Sequence, residues 1–160
     1  MPARTPGEAI YAEGPWTHEA VSANGARFHV VQMGSGPLVL LLHGFPTYWW
    51  TWRHLLPVLA EAGYRAVAMD LRGYGGSDHT PHGYDPNTLS ADAAGVVRSL
   101  GESSAVMIGH GWGAMVARAA AVMRLSAVRA IVPVSMPHPV PLRRGITGDP
   151  EQRRLSRYTL

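Results

Sequence analysis

The chain has 160 residues, 46% of them hydrophobic, which excludes a disordered chain and suits one globular unit with a sizeable core. All 14 basic side chains are Arg, but the net charge is only +3 and no basic and aromatic stripe accompanies it, so nucleic-acid binding is excluded as the main role. Without Cys there is no disulfide framework and no thiol chemistry, and the longest aliphatic stretch, Leu38–Leu42, is too short to cross a bilayer.

Residues 1–15 form a polar leader with Pro2, Pro6, Glu8 and Glu13 and no apolar run of the signal-peptide kind; a flexible leader is expected. Trp16 to Ala23 and Ala26 to Met33 are β-like runs separated by Asn24-Gly25, which predicts a hairpin. After the breakers Gly34, Ser35, Gly36 and Pro37, "LVLLLHG" reads as a strand buried on both faces, the mark of a parallel sheet. "TWRHLLPVLAEAGY" follows as a helix, with Trp52, Leu55, Leu56 and Leu59 in phase and Gly63 at the C-terminal cap position.

"RAVAMD", Arg65 to Asp70, is the next strand, and a Gly-rich loop from Gly73 to Gly83 leads to a helix over Ser90 to Leu100. "SAVMIG" reads as a strand, Trp112 to Met123 as a helix and "VRAIVPVS" as another strand. Strand and helix alternate from Leu38 onward. That alternation predicts a three-layer α/β domain on a mostly parallel sheet. The last stretch, "VPLRRGITGDPEQRRLSRYTL", reads as the start of a helix and is crowded with Arg143, Arg144, Arg153, Arg154 and Arg157.

In open α/β sheets the ligand site lies beyond the carboxyl ends of the strands, which gives weight to the residues there. They are His43-Gly44-Phe45-Pro46, then "WRHLLPVLAEAGYRAVAMDLRGYGGSD", then Gly109-His110-Gly111-Trp112-Gly113. In this order and spacing the motifs resemble the α/β-hydrolase fold family, in particular the branch of epoxide hydrolases and haloalkane dehalogenases. The resemblance runs from about Trp16 to Pro139. It implies that residues 16–140 are the N-terminal part of the hydrolase core and 141–160 the start of a cap region, truncated before the cap domain and the last two strands.

In that branch the elbow reads Gly-His-Asp-Trp-Gly, its Asp attacking an epoxide or alkyl-halide carbon to form an ester that a His-activated water hydrolyses. Here the nucleophile position is Gly111, which supplies no nucleophile. The resemblance further implies an oxyanion hole from the backbone N–H groups of Phe45 and Trp112, with Trp112 also lining the pocket. His43, Gly44 and Pro46 would shape the oxyanion loop. Gly109 and Gly113 would let strand and helix approach, and His110 would pack beside the elbow rather than act as a base. A non-Gly residue at such an apex carries strain of about 1–3 kcal/mol, so Gly preserves the shape while deleting the chemistry.

Three other patterns are weaker. His79 and His82 form an HxxH pair in a loop without helical phasing, and His43, His110 and His138 lack a completing carboxylate or Cys, so no metal site is expected. "GYGGS" lacks the ending of a phosphate loop. Trp52 reads as core and Trp49 or Trp50 as a border of the site. Asp70 belongs to the "DLRGYGGSD" loop and reads as structural.

The functional expectation is an epoxide-hydrolase-like protein acting on small apolar epoxides, esters or halides, inactive as given because the nucleophile and the catalytic His are absent. The alternative is a non-catalytic small-ligand-binding or interaction protein on the hydrolase scaffold. The expected partner is a small apolar molecule, with no cofactor, nucleic acid or membrane, in a cytoplasmic setting. An exposed sheet edge would favour homo-oligomers.

Overall fold

A computed structural model describes residues 9–157. Strands β1 (Thr17–Ala23) and β2 (Ala26–Met33) form an antiparallel hairpin. Its turn is made by Asn24 and Gly25, both at positive φ, 45° and 73°. That backbone twist matches the twist of the flanking strands, which is why Asn-Gly closes the pair at Ala23↔Ala26. Strands β3 (Leu38–Leu42), β4 (Arg65–Met69), β5 (Ala105–His110) and β6 (Val128–Val134) complete a six-stranded sheet of order β1-β2-β4-β3-β5-β6. β2 meets β4 antiparallel, whereas β4, β3, β5 and β6 run parallel, in register Leu42↔Met69 and Leu42↔Gly109.

All five residues of β3 are buried, and their alternation divides the core. Leu38, Leu40 and Leu42 join Phe28, Val67, Met69 and Met107 under α2 (Pro86–Ser99) and α3 (Trp112–Met123). Val39 and Leu41 join Ala66, Ala68, Trp49, Trp52 and Leu56 under α1 (Leu55–Glu61). Helices thus cover both faces, as a doubly buried parallel strand requires.

Two helices depart from the sequence reading. The expected single helix from Thr51 is split into a 3₁₀ turn, Trp49–Trp52, and α1. Pro57 explains the break: it has no N–H to bond Arg53 O, and its ring would crowd that carbonyl, so it is tolerated only in the first turn of a new helix. Helix α2 begins at Pro86, not Ser90, because Asp85 is its N-cap, its carboxylate accepting from Thr88 N at 3.0 Å and Thr88 Oγ1 at 2.6 Å. The Thr88 hydroxyl bond, the larger cause, and the backbone bond hold the Asp85 carboxyl below its ordinary range.

A buried tie joins the hairpin to α2. Arg72 forks onto Asp92, Nε to Oδ2 at 2.8 Å and Nη2 to Oδ1 at 2.6 Å, while Asn24 Nδ2 donates to the same carboxylate at 2.7 Å. Residues 1–8 of the expected flexible leader lie outside the described residues. Its described part is tied down: Ile10 O accepts from Trp49 Nε1 at 2.7 Å and Ala12 is buried. After β6 come α4 (Pro139–Gly148), N-capped by His138, and α5 (Pro150–Leu155), N-capped by Asp149; neither helix buries a residue. β6 is largely exposed, Val132 and Val134 included. Among the described residues, no helix is long and apolar enough to cross a membrane.

Candidate active-site elbow

The Gly109–Gly113 stretch is a strand-to-helix reversal. β5 ends at His110, Gly111 takes φ 52° and ψ −114°, and α3 starts at Trp112. Gly111 is stitched on both sides: its N–H donates to Val134 O of β6 at 3.0 Å, and its carbonyl accepts from Ala114 N at 3.1 Å and Met115 N at 3.3 Å. The positive φ is one that L side chains rarely adopt.

The flanking glycines are required by contact. A Cβ on Gly109 would lie 2.3 Å from Gly113 O, and one on Gly113 would lie 2.1 Å from Leu42 O and 2.6 Å from His43 O. Both obstacles are backbone, so α3 reaches the end of β3 only with hydrogen atoms at these positions. At Gly111 a Cβ would meet nothing nearer than Gly44 Cα at 3.9 Å. The apex therefore has room for a side chain and carries none.

The loop after β3 forms the other wall. His43 is fully buried. Its Nε2 accepts from Leu71 N at 3.0 Å, which places the ring proton on Nδ1, donating to Gly44 O at 2.9 Å. Burial lowers the His43 pKa, against the opposite pull of the Gly44 carbonyl and Asp70, so the imidazole is a neutral tie between the ends of β3 and β4. Gly44 O also accepts from Thr47 N and Thr47 Oγ1, which tightens the turn, and the Phe45–Pro46 peptide is cis. Phe45 and Trp112 are both exposed, 73% and 42%. Neither backbone N–H has an acceptor among the described residues.

His110 lies against Gly44, where a Cβ would be 3.0 Å from its Nδ1, and that buried nitrogen has no hydrogen-bond partner among the described residues. The aromatic border differs from the sequence reading. Trp49 is fully buried, edge-on to Trp16 at 5.3 Å and to His18 at 5.3 Å, and Trp50 is half-buried under the Arg53 guanidinium. The exposed rings at the elbow are instead Phe45 and Trp112. His79 and His82 are exposed, His138 is spent on capping α4, and no group of three or more His, Cys, Asp or Glu could hold a metal among the described residues.

Sequence reasoning underread one residue. Asp70, buried at the end of β4, accepts from Trp49 N at 2.7 Å, His29 Nδ1 at 2.8 Å and Gly76 N at 2.9 Å. It pins the segment after the Phe45 loop to the sheet; Trp49 and His29 are distant from it in sequence and no local pattern announces them.

A family model described as the alpha/beta hydrolase fold matches residues 37–155. Epoxide hydrolase 2 of Siraitia grosvenorii is 43% identical over 121 residues, 74% of this chain and 38% of that protein. Epoxide hydrolase B of Mycobacterium tuberculosis is 41% identical over 153 residues, 89% of this chain and 42% of that protein. Among solved structures, an epoxide hydrolase from an endophytic Streptomyces superposes with a TM-score of 0.77 at 44% identity, covering 79% of this chain and 39% of that one. The epoxide hydrolase VrEH1 from Vigna radiata superposes with a TM-score of 0.76 at 36% identity, over 86% of this chain and 46% of that one. The chain thus spans less than half the length of these relatives.

Proposed function

The chain belongs to the α/β-hydrolase fold family, and on that premise we propose that its elbow is an epoxide-hydrolase-like site that binds small apolar molecules bearing a polar oxygen without forming an ester with them. The observation that carries this reading is Gly111: the reversal is intact at φ 52° and ψ −114°, yet its apex has no attacking atom. Covalent catalysis needs a nucleophile at the apex, and neither His110 nor Trp112, its neighbours in sequence, supplies a carboxylate, thiol or hydroxyl.

What supports binding is what the site retains. The N–H groups of Phe45 and Trp112 come from the loop after β3 and from the first residue of α3, and neither has an acceptor among the described residues. Together they form a donor pair for a substrate oxygen, reinforced by the positive end of the helix dipole. The exposed Phe45 and Trp112 rings supply apolar surface beside it. Styrene oxide, with an ether oxygen on an apolar body, matches this chemistry.

The test pairs calorimetric titration of the folded protein with styrene oxide against rapid-quench mass spectrometry of the same mixture. Saturable binding with no protein adduct and no product burst is expected. A burst with a trapped ester would overturn the non-covalent reading, and absence of binding by well-folded protein would overturn the ligand-binding one.

A further inference from the structure

On the hairpin side of the sheet, two histidines form a chain of hydrogen bonds that the elbow chemistry does not use. Asp70 Oδ2 lies 2.8 Å from His29 Nδ1, His29 Nε2 lies 2.9 Å from His18 Nδ1, and His18 Nε2 lies 3.0 Å from Ala12 O. Both ends of the chain, a carboxylate and a carbonyl, are acceptors. Each of the three links therefore needs its own proton, and two neutral imidazoles bring only two. With every link made, the pair holds a third proton and one positive charge, set against the Asp70 carboxylate.

The surroundings suit such a cation. The two imidazoles stack at 5.1 Å and 13°. Tyr11 lies 5.0 Å from the His29 ring and 5.9 Å from the His18 ring, and Trp49 lies 5.3 Å from His18. Besides Asp70 and Tyr11, the titratable or charged groups facing the pair are Glu19, which accepts from Gln32 Nε2 at 2.6 Å, and Arg27, which pairs with Asp78 at 3.8 Å. Glu19 and Asp70 favour the charge, and Arg27, engaged by Asp78, opposes it.

Removing one proton has a definite place of failure. The Asp70 link keeps its proton, because a bare ring nitrogen against a carboxylate would be repulsive. His29 Nε2 then accepts from His18 Nδ1–H, and His18 Nε2 is left with a lone pair facing Ala12 O. We propose that His18 and His29 are a proton-operated latch for the segment from Ala9 to Ala12, docked while the pair holds its third proton and loosened when it is lost. Docking takes up a proton, so it prevails on the acid side and fades as pH rises. The segment's other ties, Trp16 Nε1 to Ala12 O at 2.9 Å and Trp49 Nε1 to Ile10 O at 2.7 Å, keep the change local. Trp49 also places the latch one step from the loop carrying Phe45.

Because the chain has no Cys, a dye on Ala9→Cys reports on this segment alone. Its anisotropy should fall in one step as pH rises, with the open fraction rising about tenfold, the size expected for one hydrogen bond lost. His18→Gln, whose amide reaches Ala12 O without an imidazole proton, should abolish the step, and Glu19→Gln should shift it to lower pH. In the parent chain, ¹⁵N signals of His18 and His29 should move together as one proton leaves. Flat anisotropy, a step that survives His18→Gln, or two histidines that titrate independently would overturn the latch.

Discussion

Replacing Gly113 with Ala adds one methyl group where α3 passes the end of β3. By helix propensity alone the change stabilises, because Ala is favoured over Gly in a helix by about 1 kcal/mol. The contact geometry predicts the opposite sign. The new Cβ would sit 2.1 Å from Leu42 O, against 3.4–4 Å for an ordinary contact, and the neighbours are backbone atoms of a central strand. Helix and strand must separate by roughly 1 Å, carrying the buried Ala114, Val116, Ala117 and Ala120 with them. Overpacking of this kind costs about 1–3 kcal/mol where side chains can adjust, and its upper end applies where they cannot. The expected net loss is therefore about 2 kcal/mol. Gly145→Ala in the exposed helix α4 is the matched control: its Cβ meets only the flexible Gln152 side chain, and it should gain about 0.5–1 kcal/mol. Urea unfolding at 25 °C with unchanged m-values reads both. If Gly113→Ala is as stable as the parent, the close approach of α3 to β3 is wrong.

Gly111→Ala should cost about 1–3 kcal/mol from backbone strain, since space is open at the apex; the same unfolding assay measures it. Asp92→Asn should cost about 3–5 kcal/mol, because it leaves the buried Arg72 guanidinium without its counter-charge, and a double-mutant cycle with Arg72→Met should recover much of that loss. His43 is held neutral by burial, so unfolding takes up a proton below its ordinary pKa of about 6.5. The stability it confers is present above that pH and is lost as pH falls toward its lowered folded value, by up to about 1.4 kcal/mol per pH unit relative to His43→Gln. Gly111→Asp should restore a side chain at the apex, and intact-mass spectrometry after incubation with styrene oxide should then show a single adduct on Asp at that position, absent from the parent.

Local features were legible in the sequence because their causes are local. Asn24-Gly25 dictates the hairpin turn through backbone dihedrals, and the glycines at 109 and 113 follow from close approach at a sharp reversal. The two helix starts are less legible, because proline chemistry at Pro57 and capping at Asp85 set them and apolar periodicity registers neither. Burial of Trp49 and the Asp70 bonds to Trp49 and His29 depend on partners 21 and 41 residues from Asp70. Nothing in a short window encodes which distant donor arrives.

The strand order has a consequence for the elbow. From β3 the chain passes outward to β4 through α1 on one face, then crosses over to β5 through α2 on the other and moves outward again to β6. β3 and β5 are therefore neighbours from which the winding departs in opposite directions, and the loops that leave them diverge. The meeting of the Phe45 loop and Gly111 is a product of connectivity before it is a product of side chains. A topology of this kind keeps the two loops together when the apex side chain is lost, so a vacant apex and an intact strand-to-helix reversal coexist in one fold.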